Sequence, residues 1–405
     1  MRNIYFYYPS NVWGGAEMLF VRILNYLAQH YKDFDVGYIN FEESFLNKIL
    51  DSKCKRIVAS DTITLPANST IIAPPFCLYK MPKIKSKNIF FLFWILHIEE
   101  FECSIYTKEM IYGKTQRARK EVSQNWQIMI DSDALIAMDE ATKIACKNSC
   151  SYDLDDKHII PVMLEDYPSP PLKQKLINEE YINIGWVGRL SSDKIYALIN
   201  LMDNLEKIHI DKKIKLHIIG EGDSKHLLKS YKNFETIMLG TIENKKLNPY
   251  IENNLDLVFA MGTSMLEAEK SAIPAVMVFY TLKDSTQNSF LWTFKLKNYI
   301  LGYEEKMGLI SDDEKMTLGQ ILNDFLTNIP LHSKQAREHF ESFLINRHIS
   351  SFLDCTNTTT YSIKTYRKEK VLLKIGKLKA KWTNSIRKRF LKISTLISPI
   401  KNQTT

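Results

Sequence analysis

Two cations five residues apart, Arg189 and Lys194, stand in Gly188-Arg189-Leu190-Ser191-Ser192-Asp193-Lys194, directly after the apolar run Ile182–Val187. An arginine fork and a lysine point charge, across a turn that opens a helix, suit a diphosphate at a helix N-terminus. The spacing alone is equally compatible with a solvated Lys194 and an Arg189 paired to an acid. A second segment, Gly262-Thr263-Ser264-Met265-Leu266-Glu267, follows the run Leu255–Met261. Its glycine allows a close turn, and its hydroxyls and helix start offer donors to a phosphate. Glu267, one turn into the helix, could accept hydrogen bonds from ribose hydroxyls. An N-cap with a first-turn glutamate complementing the helix dipole would look the same. Gly220-Glu221-Gly222 follows a third apolar run, and Gly14-Gly15-Ala16-Glu17 follows the first. His97, after Phe90–Ile95, is a candidate base or hydrogen-bond donor, though a lone histidine at a strand end is more often structural.

These segments all sit where strands end. Strand patterns fall at Ile4–Tyr8, Val36–Ile39, Thr70–Ala73, Phe90–Ile95 and Ala134–Ala137. They recur at Ile182–Val187, Leu216–Ile219, Thr236–Leu239, Leu255–Met261 and Ala275–Phe279. Helical spacing runs from Glu17 to His30, and again through Ile195, Leu198, Ile199, Met202 and Leu205. Such alternation predicts an α/β chain of two doubly wound, Rossmann-like domains. The proline-rich stretch Pro161 to Pro171 reads as the connection between them. Ligands of such sheets lie outside the carboxyl ends of the strands, in a cleft the two domains would face. The expected divisions are 1–170, 171–345, a return segment 346–363 and a tail 364–405.

The chain has 405 residues and a net charge of +8. Its mix of 45% hydrophobic and 25% charged residues excludes a disordered or fibrous chain. The charge is unevenly placed: thirteen basic residues and one acid, Glu369, lie between Lys364 and Thr405, a segment charge of +12 that leaves −4 for the rest. Apolar residues at 371, 375, 378, 382, 386, 390, 393 and 397 make this tail an amphipathic helix pattern. Its expected partner is an anionic membrane surface, with packing on the body as the rival; nucleic acid is not expected, since no phosphate-reading motif occurs. Six scattered cysteines and no CxxC spacing suit reduced cytosolic thiols. The longest apolar run, Asn88 to Ile98, is shorter than the roughly 20 residues that span a bilayer. The expected location is cytoplasmic, peripheral on the inner face of the plasma membrane.

Taken together, Gly14-Gly15-Ala16-Glu17, Gly188-Arg189 with Lys194, HIIGEGD at His217–Asp223 and LEAEKSAIPAVMV at Leu266–Val278 resemble the GT-B glycosyltransferases, specifically the retaining group-1 (GT4-like) family. The resemblance implies that Arg189 and Lys194 bind the donor diphosphate and stabilise the leaving-group charge. It implies a ribose-binding role for Glu267. Gly14 and Gly15 would let the first loop approach donor and acceptor, and His97 would lie near the transferred sugar. Gly188, Gly220, Glu221, Gly262, Thr263 and Ser264 complete the implied donor site. One departure is plain: Phe259 occupies the position of the family's first glutamate, eight residues before Glu267. Asp131-Ser132-Asp133 fits an Asp-x-Asp metal pattern, yet it precedes a strand and reads as a solvated strand entry. No metal and no cofactor are expected.

The resulting expectation is a metal-independent, retaining transferase. It would move a sugar from a nucleotide sugar to a glycan or lipid-linked acceptor in bacterial-type surface polysaccharide synthesis, such as lipopolysaccharide or capsule. The alternatives are a catalytically degenerate scaffold or partner subunit of a transferase complex, for which Phe259 speaks, and a nucleotide-sugar epimerase or hydrolase, against which the basic tail speaks.

Overall fold

The structure is a computed structural model that describes residues 1–11, 14–113, 117–168, 170–281, 283, 286–303 and 305–371. The described residues divide into two units: Met1–Met138 with Thr142–His158 and residues 351–371, and Asp139–Ala141 with Ile159–Ser350.

In unit 1 the strands are β1 (Asn3–Tyr7), β2 (Val36–Asn40), β3 (Lys55–Val58), β4 (Thr62–Ile63), β5 (Ser69–Ala73), β6 (Lys83–Ile84), β7 (Ile89–Ile95) and β8 (Leu135–Ala137). Six of them form a parallel sheet in the order β3-β2-β1-β5-β7-β8, and β4 pairs with β6. The apolar run of β7, IFFLFWI, is unbroken because helices cover both faces of a parallel sheet. Helix α1 (Gly15–His30) buries Leu19, Ile23, Leu24 and Leu27, the stripe its spacing announces. Short helices α2 (Leu46–Ile49) and α3 (Cys77–Lys80) are followed by α4 (Glu100–Tyr112), α5 (Ala118–Asp131) and α6 (Glu140–Cys150). The two-residue strands β4 and β6 carry too few residues to show a period, so the sequence does not announce them.

Unit 2 repeats the plan. Strands β9 (Tyr181–Val187), β10 (Lys213–Ile219), β11 (Glu235–Gly240), β12 (Leu257–Ala260), β13 (Ala275–Met277) and β14 (Leu291–Trp292) lie in the order β11-β10-β9-β12-β13-β14, with only β14 antiparallel. Helices α7 (Ile195–Lys207), α8 (Asn244–Asn254), α9 (Thr263–Lys270), α10 (Leu318–Thr327) and α11 (Ile329–Ser342) complete it. A capping box of Thr317 and Gln320 opens α10. The proline-rich stretch is no loose tether: Pro161 to Leu164 are buried, and Leu164 exchanges backbone hydrogen bonds with Phe343 (2.9 Å) and Ile345 (2.8 Å) inside unit 2.

Helix α12 (Ile345–Thr358) carries the chain back, and from Ser351 it packs in unit 1. There Phe352 meets Phe6 (6.0 Å) and Trp94 (5.5 Å), and Arg2 donates to the carbonyls of Thr356 and Thr359. Residues 363–371 are helical and belong to this body. Tyr366 is buried against Phe91 at 4.9 Å and donates its hydroxyl to the carbonyls of Met81 and Pro82. The basic residues counted with the tail therefore begin inside the packed fold. The amphipathic stripe from 375 onward lies outside the described residues. Among those described, no helix is long and apolar enough to cross a membrane.

Candidate functional site

In unit 2 the chain runs outward from β9 to β10 and β11, then returns to the other side of β9 as β12 and β13. The strand order thus reverses between β9 and β12, the place where open α/β sheets form a ligand crevice. Both cation and glycine segments lie there. Residues 188–194 leave the end of β9, and Gly262 leaves the end of β12, an adjacent parallel strand.

The loop after β10 supports the loop after β9. Gly188 N–H donates to Ile219 O (3.0 Å), Leu190 N–H to Glu221 O (3.0 Å) and Ser224 N–H to Leu190 O (3.0 Å). A Cβ on Gly220 would run into the carbonyl of Gly188, and one on Gly222 into Leu190 O, C and Cα, the last at 2.9 Å. These glycines are required by backbone contact with the cation loop. Glu221 turns to Lys225 (3.4 Å).

On this supported loop Arg189 is exposed, 3.6 Å from Asp193. Lys194, the N-cap of α7, is half-buried. Burial, and then the nearby Arg189 cation, lower its pKa below the usual 10.5; Asp193 only partly offsets this. Two cations held together at cost to one of them are what a bound anion would relieve. At the end of the neighbouring strand β12, Gly262 caps α9 with φ 67° and ψ −153°, a conformation natural only to glycine. Thr263 and Ser264 form the first turn of α9, whose dipole favours an anion. Glu267 lies 3.8 Å from Lys270, and the Asn248 amide, oriented to satisfy both, donates to Glu267 (3.3 Å) and accepts from Lys270 (3.1 Å). Nothing in the local pattern around Asn248 announces this role, because α8 is brought to α9 only by folding. Phe259 is fully buried in β12 and packs edge-on against Phe290 at 5.5 Å. It is a core residue, and its place offers no carboxylate to a ligand.

In unit 1 the strand order reverses between β1 and β5, and Gly14-Gly15 open α1 there. A Cβ on Gly14 would collide with the buried carboxylate of Glu17, which folds back to accept from the Ser10 hydroxyl (2.7 Å). His97 lies past β7, beyond β5 in the sheet, so it and the glycines sit at separate strand ends. His97 is exposed, and its Nδ1 accepts from the Glu99 N–H (3.2 Å), which requires the ring proton on Nε2. Three residues on, Glu100 is buried with one carboxyl oxygen unpartnered, and burial lifts its pKa to about 8. The sequence hides this group, since a glutamate at a helix start reads as an ordinary complement to the dipole.

Asp133 has a left-handed backbone (φ 49°) and faces His158 at 3.2 Å and Lys157 at 3.8 Å, as suits a strand entry. Among the described residues no group of three His, Cys, Asp or Glu side chains is placed to hold a metal ion.

No protein-family model matches the chain, and no curated protein matches its sequence. Solved structures do resemble it. Anabaena HepE in complex with UDP-glucose aligns over 87% of this chain and 100% of its own, with a TM-score of 0.51 at 13% identity. HepE with UDP and glucose gives 0.50 at 13% identity over the same shares. WaaG, described as a glycosyltransferase involved in lipopolysaccharide biosynthesis, gives 0.49 at 13% over 88% of this chain and 100% of its own. The HepE likeness establishes the architecture: two Rossmann-type units on the plan of the GT-B fold.

Proposed function

We propose that the chain is a glycosyltransferase that takes a sugar from a nucleotide-sugar donor. The observation that carries this reading is that the loop of Arg189 and Lys194 and the N-terminus of α9 follow the adjacent parallel strands β9 and β12, at the strand-order reversal of unit 2. There the two cations hold the donor diphosphate. As the bond between the anomeric carbon and the phosphate oxygen breaks, they take up the charge left on that oxygen. That charge assignment makes the reaction metal-independent, because the cations do the work a divalent ion would do. Glu267, held by Asn248, binds the ribose. Gly14 and Gly15 admit the donor and acceptor at unit 1, and His97 with its Nε2 proton lies beside the transferred sugar. The complex of HepE with UDP-glucose supports a uridine nucleotide as the first donor to try.

The acceptor in this reading is a glycan or lipid-linked glycan of a bacterial-type surface polysaccharide, lipopolysaccharide or capsule, and transfer is retaining. The enzyme works at the inner face of the plasma membrane, held by the basic stripe over 372–401. The burial of Phe259 favours one second reading, a degenerate scaffold that has lost the sugar-gripping carboxylate. A panel of nucleotide sugars, scored for binding and slow hydrolysis, separates the two. A transferase binds at least one donor, and Arg189→Ala and Lys194→Ala each lower its turnover by about 10²–10³-fold. Turnover near wild type in either variant refutes the diphosphate assignment, and a chain that binds no donor is the scaffold.

A further inference from the structure

Unit 1 contains a pocket of about 1030 Å³ that none of the residues discussed above as donor ligands lines. One wall is aromatic, with Tyr8, Phe41, Phe76 and Tyr112; Phe41 is 45% exposed although it is a large apolar ring. The other wall is made by the helix over 363–371 against the segment 79–86. Lys370 donates to Tyr79 O (3.0 Å), Tyr366 to Pro82 O (2.8 Å) and Arg367 to Ile84 O (2.8 Å). Lys80, Lys83, Arg367 and Lys370 all line the pocket. Against them stands one carboxylate, Asp61. Among the described residues Lys80, Lys83 and Arg367 have no ion-pair partner; carbonyl bonds position Arg367 without neutralising it, and Lys80 has only the Phe76 ring at 5.3 Å. A fold that gathers like charges beside exposed ring faces has built a site for a ligand with both an anionic group and flat apolar faces.

We propose that this pocket binds a phosphorylated glycan, its sugar rings on the aromatic wall and its phosphate on Lys80, Lys83, Arg367 and Lys370. That the glycan is the acceptor rests on the transferase reading above. The start of the basic tail is then part of the ligand site, and its charge has a use apart from any membrane.

The test titrates the full chain with N-acetylglucosamine 1-phosphate, a farnesyl-diphosphate-linked N-acetylglucosamine in micelles, neutral N-acetylglucosamine and inorganic phosphate. The variant is Lys80→Gln/Lys83→Gln, two exposed side chains that hold no backbone in place. At least one phosphorylated sugar should bind about tenfold tighter than the neutral sugar and than inorganic phosphate. The double variant should lose about tenfold for that ligand alone, with its melting temperature unchanged. Binding of the lipid-linked probe only, or of both probes, supports the site and identifies the source of the phosphate. Equal binding of charged and neutral sugars, an unaffected double variant, or binding of no phosphorylated sugar overturns it. The panel of nucleotide sugars, titrated into the same samples, reports the donor site separately. Binding of none of them refutes the donor reading, and binding of one beside an empty pocket refutes the pocket alone.

Discussion

Gly222→Ala tests the claim that the β10 loop holds the cation loop in place. Gly222 is extended (φ 171°), so the backbone itself tolerates a side chain. The obstacle is contact: the new Cβ meets three backbone atoms of Leu190, with Cα at 2.9 Å, and backbone cannot swing away as a side chain can. The loops must part, which strains or breaks Leu190 N–H to Glu221 O and Ser224 N–H to Leu190 O. Two such bonds are worth about 2 kcal/mol net, and overpacking adds roughly 1–3 kcal/mol where it is not relieved. A loss of about 3 kcal/mol in a unit of this size lowers the melting temperature by roughly 6–12 °C. The functional loss is larger in proportion, because Arg189 moves with the loop and a shift of about 1 Å in a positioned group can cost roughly 10²-fold. Calorimetry of the full chain and a UDP-glucose titration measure both effects. Gly319→Ala is the control: its Cβ would meet only Ile208 Cδ1 at 3.8 Å, within helix α10, so stability should hold or rise by about 0.5–1 kcal/mol. If Gly222→Ala melts and binds like wild type, the loop is not held as described.

Two further outcomes follow from groups with shifted pKa values. Burial and Arg189 hold Lys194 below 10.5, so its ammonium is lost earlier than an ordinary lysine's as pH rises. Only the charged form attracts a diphosphate, so UDP affinity should fall as pH rises through that lowered value. Lys194→Arg, charged to about pH 12, should flatten the fall; identical pH profiles would remove Lys194 from the phosphate site. Burial lifts the Glu100 carboxyl to about 8 from 4.5, so between those values the folded chain holds a proton that the unfolded chain has released. Stability therefore declines as pH rises across that window. Glu100→Gln abolishes the decline, so the melting temperature of the variant relative to wild type should climb from pH 5 to pH 8. A difference that stays constant with pH would mean that Glu100 does not titrate there.

Local pattern was enough for several features. The αβ alternation, the helix stripe of α1 and the glycine-bearing turns after strands all follow from residue spacing, because burial on both sheet faces or on one helix face dictates it. Arg189, Lys194 and Gly262 could be singled out for the same reason, since they directly follow apolar runs that must end. What the spacing of residues along one segment cannot express is adjacency. That β12 lies beside β9, and so brings Gly262 and the start of α9 to the same edge of the sheet as the cation loop, is a property of strand order. Phe259 could be recognised as a departure, but only its packing on Phe290 makes it core. The helix over 363–371 shows the same limit from the opposite side. Its lysines and arginines count as tail in the sequence, yet Tyr366, Arg367 and Lys370 find their partners in residues 79–86, between 283 and 291 positions away. Composition determined how much charge the chain carries; tertiary contact, where carbonyls and rings replace water around specific side chains, decided which of those charges line the pocket of unit 1.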